Sequence, residues 1–268
     1  MITRRTMALG LAANAANRVG ARAAAAPFAW PGGARAAVSL TYDDSLDSQL
    51  DHGIAQISAS GFKATFFLTR ENMDARLADW IAVSRLGGHE FGNHTVSHPC
   101  GLQPYTASSY ARRELMPMQA YMDLHFGQNP KRVFAYPCSE TDLGPGDANQ
   151  KFHTFETTLK RVGLAAARTS DEDSPMTPAY ARARPYWLRA SATTYDVDDP
   201  GLAMRYVEGA MARGLWAILV FHDIVPTRTQ AGETSMASHK LVLDWLKVKD
   251  VWCAPMGAVL DHIRAAPA

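Results

Sequence analysis

The chain has 268 residues, of which 47% are apolar and 20% are charged, a composition that supports one large or two small globular domains. Lysine and arginine number 27 against 26 acidic residues, so the formal net charge is only +1. Because binding to nucleic acid calls for a basic patch, this balance argues against a nucleic-acid partner. No apolar run approaches the roughly 18 to 20 residues of a membrane span, so no transmembrane segment is predicted.

The first 33 residues differ in composition from the rest of the chain. No acidic residue precedes Asp43, whereas five arginines do. Thr3 to Met7 resembles a twin-arginine export signal, and a weakly apolar, alanine-rich stretch follows it. We therefore predict an export signal in residues 1–33 and a periplasmic or extracellular location. A disordered N-terminal segment and a cytoplasmic location are the alternatives.

From residue 34 onward, strand-like and helix-like segments alternate along the chain. The strands are short apolar runs, and the helices place apolar residues at three- and four-residue spacing. The predicted strands cover residues 36–42, 63–68, 90–95, 132–136, 164–168, 215–221 and a short run near the C-terminus. The predicted helices cover residues 45–60, 74–85, 109–126, 151–162, 201–213, 235–248 and a final short segment. Residues 169–200, which include four prolines, are predicted to be irregular or antiparallel.

This alternation is typical of βαβ units and a parallel sheet. About seven such units in a single domain over residues 34–268 favour an α/β fold of the distorted (β/α) barrel type over an open sheet of two halves. In such barrels the reacting groups gather where strands end and loops begin, so functional side chains are expected at the strand ends.

The first strand ends in two adjacent carboxylates, Asp43 and Asp44. Adjacent carboxylates repel each other, so something must separate or neutralise them. Because successive side chains of a strand diverge, one carboxylate can bind a cation while its neighbour stays free as a general base. A plain solvated turn is the alternative for this pair taken alone.

Two histidines, His94 and His98, follow the third strand at a spacing of four residues. In a helical turn this spacing puts both imidazoles on one side, where they can reach one metal ion. Together with Asp44 they would form a site of two nitrogens and one carboxylate, which leaves a position for water as in catalytic zinc sites. Two unrelated histidines are the alternative.

Two later strands also end in side chains that are candidates for the active site. His222 follows the apolar run 215–221, which makes it a candidate general acid. The fourth strand leads into Tyr136, Pro137 and Cys138.

Taken together, these strand ends resemble the polysaccharide deacetylase family, also called NodB-like or carbohydrate esterase family 4. Residues 41–44 (TYDD) match its first motif, 94–98 (HTVSH) its second, 136–138 (YPC) a variant of its third and 220–222 (VFH) its fifth. The resemblance covers roughly residues 36–260. It implies a distorted (β/α) barrel and a metal-dependent hydrolase in which metal-bound water is the nucleophile. The implied reaction removes acetyl groups from N-acetylated amino-sugar polymers or oligomers of the chitin or peptidoglycan type.

The resemblance also implies a role for each matching side chain. Asp44, His94 and His98 would hold a divalent metal, zinc first, with cobalt, manganese or nickel as alternatives. Asp43 would be the general base, and His222 would protonate the leaving amine.

The third motif is where the chain departs clearly from the family pattern. The implied substrate-binding residues are Tyr136, Pro137 and Cys138, with the backbone N–H of Cys138 helping to hold the oxyanion. The family's arginine, which orients the base, is replaced here by Ala135. Arg168, at the end of the fifth strand, is the candidate replacement, and a surface salt bridge is its alternative role.

The fourth motif of the family is difficult to find in this chain. It pairs an aspartate with a tryptophan that lines the sugar groove, whereas residues 196–200 offer acids with no following tryptophan. Trp187, a predicted substrate-binding residue, or Tyr186 would supply the stacking surface, and membership of the core is the alternative for each. Asp198 or Asp199 would lie beside His222 and favour its protonated form.

The sequence leaves open whether any of the three cysteines form a disulfide. In an exported protein, Cys100 and Cys138 would form a disulfide beside the metal and leave Cys253 unpaired. Three small buried hydrophobic side chains are the alternative.

Two further functions remain open beside the deacetylation of amino sugars. An O-acetyl esterase acting on xylan, or a small-molecule amidase, would use the same site. The missing arginine at position 135 also suggests a catalytically inactive sugar-binding protein. An acetylated carbohydrate is thus the expected partner, and the oligomeric state is not predicted.

Overall fold

The computed structural model describes residues 28–170, 174–192 and 197–267, so most of the predicted export segment lies outside the described residues. Phe28 and Trp30 contact the ring of His262 near the C-terminus, and Trp30 is only 3% exposed. Folded structure therefore begins before residue 34, because two aromatic rings bury their surface against the end of the chain.

A curved parallel sheet lies at the centre of the described residues. Its strands are β1 (Ala36–Asp43), β2 (Thr65–Leu68), β3 (Glu90–Asn93), β4 (Val133–Ala135), β5 (Ala166–Arg168), β6 (Trp216–Phe221) and β9 (Val251–Cys253). The strand order is β5-β4-β3-β2-β1-β6, and β9 pairs with the start of β1. Two short strands, β7 (Asp223–Val225) and β8 (Glu233–Ser235), form a separate parallel pair.

An irregular segment joins the two edges of this sheet. Leu188 bridges Arg168 on β5, and Ser191 bridges Leu219 on β6. The Ser191 N–H donates to the carbonyl of Ile218 at 2.9 Å. The predicted distorted (β/α) barrel is thus confirmed, and the distortion arises because this short segment takes the place of a regular strand between β5 and β6.

Helices precede and follow the strands along the described chain. They are α1 (Ile54–Ser60), α2 (Arg70–Ala75), α3 (Leu77–Arg85), α4 (Ala107–Tyr110), α5 (Met116–Phe126), α6 (Ala148–Val162), α7 (Pro178–Ala183), α8 (Pro200–Met211), α9 (Met236–Lys247) and α10 (Met256–Ala265). Two π-helical stretches, Gln49–Gly53 and Ala111–Leu115, precede α1 and α5. None of the described helices has the length and apolar character needed to cross a bilayer.

Strand β1 is buried along its whole length and contributes to two cores. Val38, Leu40 and Tyr42 belong to one hydrophobic cluster, whereas Ala37 belongs to another. Because strand side chains alternate between faces, Asp43 lies on the same face as Ala37. Asp43, the predicted general base, therefore lies on the face of β1 that contributes to the second cluster, at the carboxyl end of the strand.

Candidate active site

Asp43 is a buried carboxylate held by a buried arginine. Arg168 Nη2 donates to Asp43 Oδ1, and the Arg168 guanidinium carbon lies 4.6 Å from the ring centroid of Phe67. Arg168 is completely buried, so it is not a surface salt bridge. The second oxygen, Asp43 Oδ2, lies 3.9 Å from Nε2 of both His94 and His222. One carboxylate oxygen is therefore fixed by a cation while the other faces the histidines.

Asp44, His94 and His98 converge on one point. Asp44 Oδ1 lies 3.3 Å from Nε2 of His94 and 3.3 Å from Nε2 of His98. The three candidate ligand atoms lie within 4.8 Å of one another. Asp44 Oδ1 is buried and has no hydrogen-bond partner among the described residues. A buried carboxylate oxygen without a donor is costly, so this arrangement suits a bound cation.

The orientation of the His94 ring is set by a backbone acceptor. His94 Nδ1 lies 2.9 Å from the carbonyl oxygen of Ala135, which cannot donate, so Nδ1 carries the proton. In the neutral ring Nε2 is then a free lone pair directed at Asp44. A metal-binding histidine usually has its other nitrogen held in this way. Position 135, where the family arginine is missing, thus contributes through its backbone.

The charges of the cluster perturb one another. Burial acts to raise the pKa of Asp44, but the adjacent His94 ring and the fields of His94, His222 and His98 hold it well below its usual range. Burial disfavours the charged form of His94, yet the neighbouring carboxylates Asp44 and Asp43 raise its pKa overall. Burial and the neighbouring His94 lower the pKa of His98. The two carboxylates therefore favour a positive charge between them.

The backbone at these strand ends is unusual. Within the described residues, the non-glycine residues with positive φ are Asp44, Ser45, Thr95, His98, Cys138 and Ser139. Such conformations cost on the order of 1–3 kcal/mol each and cluster at functional sites. All of them lie in the loops that follow β1, β3 and β4.

A buried glutamate anchors the loop that carries His98. Glu114, in the second π-helical stretch, accepts from the backbone N–H and the hydroxyl of Ser97, both at 3.0 Å, and from the Tyr105 hydroxyl at 3.1 Å. Within the same loop, Thr95 Oγ1 accepts from the His98 N–H at 2.9 Å. The sequence offered no signal for Glu114, because a single acidic residue in a predicted helix resembles a solvated surface charge.

His222 lies on the other side of Asp43, at the end of β6. Its Nε2 is 3.9 Å from Asp43 Oδ2 and 4.0 Å from Asp44 Oδ2. The buried side chain of Gln49 donates from Nε2 to the carbonyls of Asp43 at 2.5 Å and His222 at 3.1 Å. Gln49 thereby connects the ends of β1 and β6, and it was not identified from the sequence.

The two acids predicted beside His222 serve as acceptors at helix starts. Asp199 caps α8 by accepting from the Gly201 N–H at 2.8 Å, and Asp198 Oδ1 accepts from the Ser235 N–H at 3.1 Å. Asp196 lies outside the described residues. Among the described residues, the carboxylates that face His222 include Asp43 and Asp44.

The predicted substrate-binding residues differ in how deeply they are buried. Tyr136 is 1% exposed, and its hydroxyl donates to the carbonyl of Tyr186, so a substrate could meet only its backbone. Tyr186 and Pro137 are buried as well. Trp187 is half-buried, with its ring 4.6 Å from the ring of Phe152. Its proposed stacking on a sugar remains a prediction.

Cys100 and Cys138 form a disulfide whose Cα atoms are 5.3 Å apart, and Cys253 is free. Both half-cystines are exposed. The alternative, in which all three cysteines are small buried hydrophobic residues, is therefore wrong for this pair.

Comparison with known families supports this site. Residues 32–151 match the family model described as Polysaccharide deacetylase. These residues belong to the polysaccharide deacetylase family. The resemblance deduced from the motifs is thus confirmed, and the matched range contains Asp43, Asp44, His94 and His98. Arg168 and His222 lie beyond it.

Solved structures share the fold over most of the chain. A Mycobacterium smegmatis protein, provisionally described as a polysaccharide deacetylase, aligns with a TM-score of 0.67 at 16% identity over 90% of this chain and 94% of its own. The peptidoglycan deacetylase PdaC from Bacillus subtilis gives 0.54 at 15% identity over 85% and 91%. A family 4 acetyl xylan esterase from Clostridium thermocellum, in complex with a cobalt ion, gives 0.54 at 18% over 86% and 92%. No curated protein matches the sequence.

Proposed function

We propose that this protein is a metal-dependent hydrolase that removes acetyl groups from N-acetylated amino-sugar polymers or oligomers. The observation that carries the proposal is the buried, unpartnered Asp44 Oδ1 between His94 and His98, next to a carboxylate with one free oxygen. A purely structural ion-pair network would be expected to satisfy that oxygen.

The donor set fits a divalent cation. Asp44, His94 and His98 offer one carboxylate oxygen and two imidazole nitrogens, and His94 is in the tautomer that leaves Nε2 free. This set suits zinc, with cobalt, manganese and nickel as alternatives, and it leaves coordination positions for water and substrate. When bound, such a cation lowers the pKa of a water and polarises the acetyl carbonyl.

The remaining residues supply proton transfer and orientation. Arg168 occupies Asp43 Oδ1, so Oδ2 is the oxygen that takes the proton of the attacking water. His222 Nε2, which lies 3.9 Å from that oxygen, gives a proton to the departing amine. The exposed Cys138 carries a backbone N–H that would stabilise the developing oxyanion, a contribution of about 3 to 4 kcal/mol for a good donor.

An inactive sugar-binding protein is less well supported. That alternative was prompted by Ala135 in the position of the family arginine. Arg168 brings a guanidinium to Asp43 from the neighbouring strand instead. The cation beside the base is therefore present despite the altered motif, which favours an active enzyme.

Acetate release tests the proposal. Protein stripped with a chelator and reloaded with zinc should release acetate from acetylated chitooligosaccharides or peptidoglycan fragments, and chelation alone should abolish the activity. Asp43→Asn should retain zinc and lose turnover, because only the base is changed. Release from acetyl-xylan but not from N-acetylated substrates would favour the esterase. No release from any acetylated substrate by zinc-loaded protein would contradict the proposal.

We further propose that the protein is exported. The acid-free, arginine-containing N-terminus supports this location, as does the exposed Cys100–Cys138 disulfide, because such bonds persist in oxidising compartments. Cell fractionation of the full chain should place it outside the cytoplasm, and replacement of Arg4 and Arg5 by lysine should retain it inside.

A further inference from the structure

The Cys100–Cys138 disulfide lies next to two residues that the proposed reaction needs. We propose that it is a positioning disulfide, which holds the metal ligand His98 and the backbone donor of Cys138 in place, so that its reduction weakens metal binding and catalysis. This inference rests on the proposed function of the same site. Neither sulfur takes part in the chemistry; both act through the loops that they join.

The disulfide connects the loop that follows β3 to the loop that follows β4. Cys100 lies two residues after His98, on the loop that follows β3, and Cys138 lies on the loop that follows β4. These strands pair in register at Asn93 and Phe134, at the end where the loops begin. Beyond that pair, the His94 ring reaches the carbonyl of Ala135. The disulfide is the covalent connection between the loops, so it limits their separation directly.

Both loops contain backbone that needs external restraint. His98 and Cys138 each have φ of 51°, which is uncommon for residues with a Cβ atom. Such conformations persist only where the surrounding structure holds them. Cys100 Sγ lies 3.8 Å from His98 Nδ1, so the sulfur also lies beside the ligand ring.

The Cys138 loop is anchored on both sides. On one side, Ser139 Oγ lies 2.6 Å from Ser170 Oγ and accepts from the Ser170 N–H at 2.7 Å, which joins it to the loop after β5. On the other side, the disulfide joins it to the loop of His98. Loss of the disulfide would free one side only, so we expect altered positioning rather than unfolding.

The disulfide is accessible to reagents, whereas the remaining thiol is not reactive. Cys100 and Cys138 are exposed, and burial raises the pKa of the Cys253 thiol to about 12. A small dithiol should therefore reduce the bond in the folded protein. The dithiol supplies two electrons and two protons, is itself oxidised to a disulfide, and leaves two thiols on the protein.

The experiment compares the double variant Cys100→Ser/Cys138→Ser with Cys253→Ser in the full-length protein. Serine avoids the thiolates of the reduced protein, which would themselves bind metal beside His98. Zinc affinity is measured by competition with a chromophoric chelator, and kcat and KM are measured by acetate release. We expect roughly tenfold weaker zinc binding in the double variant, as for other losses of ligand support. At saturating zinc, kcat should fall by about tenfold with KM almost unchanged, because the Cys138 N–H acts in the transition state.

Three further results decide the inference. Unreduced protein should show one thiol in denaturant and reduced protein three. Treatment of the wild type with a dithiol should reproduce the fall in kcat at saturating zinc, with recovery on reoxidation. Cys253→Ser should match the wild type in zinc affinity, kcat and KM. Zinc affinity and kcat within about twofold of wild type in the double variant, with only a lower melting temperature, would overturn the positioning role. If no variant releases acetate, the proposed function fails, and the zinc affinities still decide the role of the disulfide.

Discussion

The two ends of the parallel sheet both contain buried charge, yet only one has the features of a reactive site. At the carboxyl end, the unpartnered Asp44 Oδ1 lies between two histidines. At the opposite end, Glu90 and Arg132 line a cavity of about 410 Å³. There the Glu90 carboxylate accepts from the Thr65 hydroxyl at 2.8 Å and the Gly257 N–H at 3.0 Å.

At the amino end the Arg132 guanidinium is paired through its terminal nitrogen, although its Nε has no hydrogen-bond partner among the described residues. Arg132 donates to Asp123 at 2.6 Å and to the Gly127 carbonyl at 3.1 Å. The backbone differs as well: positive φ values around this cavity fall on Gly88 and Gly127, which bear no side-chain cost. Buried charge alone therefore does not mark a site. The proposed site is distinguished instead by an unpartnered acceptor beside non-glycine residues with positive φ. The following changes test this contrast between the two ends of the sheet.

The largest expected effect is that of Asp44→Ala. It removes the single carboxylate of the proposed ligand set, so zinc affinity and acetate release should fall by more than about 100-fold, beyond the 10- to 100-fold typical of residues that only support a ligand. Elemental analysis after dialysis and an acetate assay measure the two losses. Glu90→Gln, at the other end, should retain stoichiometric zinc. Zinc bound normally by Asp44→Ala would place the ion elsewhere.

Arg168→Met should be the most destabilising change at the carboxyl end. It leaves the buried Asp43 carboxylate without its cation, a loss of about 3 to 5 kcal/mol in the free energy of unfolding. Urea denaturation measures this loss, and Arg168→Lys should recover part of it. Arg132→Met is the matched control: its partner Asp123 is 38% exposed, so water can solvate the remaining charge. Equal losses for the two methionine variants would remove the contrast between the ends.

Acid should first act on buried histidines outside the proposed ligand set. His239 Nε2 lies 2.6 Å from the Tyr42 hydroxyl, and burial lowers its pKa to about 3. Because the folded pKa lies below the unfolded value, the stabilisation is complete above about pH 6.5 and is lost as pH falls toward 3. The unfolding free energy should therefore drop by about 1.4 kcal/mol per pH unit in this window. Burial also lowers the pKa of His89, at the amino end, to about 4.

Urea denaturation between pH 7 and 5 measures this slope. His239→Gln keeps a polar side chain without a titrating ring, so the slope should become shallower. An unchanged slope in that variant would show that His239 is not the group responsible.

The smallest expected effect compares two glutamates. Glu114→Gln should weaken zinc binding by about tenfold, because an amide accepts less strongly from Ser97 than a carboxylate does. Glu90→Gln should leave zinc affinity unchanged while costing a similar amount of hydrogen-bond stability. Chelator competition measures both affinities. Equal zinc affinities in the two variants would remove Glu114 from the support of the site.

The amino-acid sequence determined the alternating strands and helices and the position of the proposed ligand set. Apolar spacing is a local property, and parallel topology brings strand ends to one edge, so Asp44, His94 and His98 could be expected to meet. The long predicted helix 109–126 shows where this reasoning ends: a π-helical stretch interrupts it, and no apolar pattern indicates which polar side chain is turned inward.

Only the tertiary structure decided which polar groups contact the residues of the proposed site. The contact between Arg168 and Asp43 joins residues 125 positions apart, and the contact between Gln49 and His222 spans 173. Tyr136, the first residue of the third-motif match, is buried because the surrounding aromatic rings pack against it. Long-range hydrogen bonds and packing depend on how separate segments are juxtaposed, and that information is not local to any stretch of the chain.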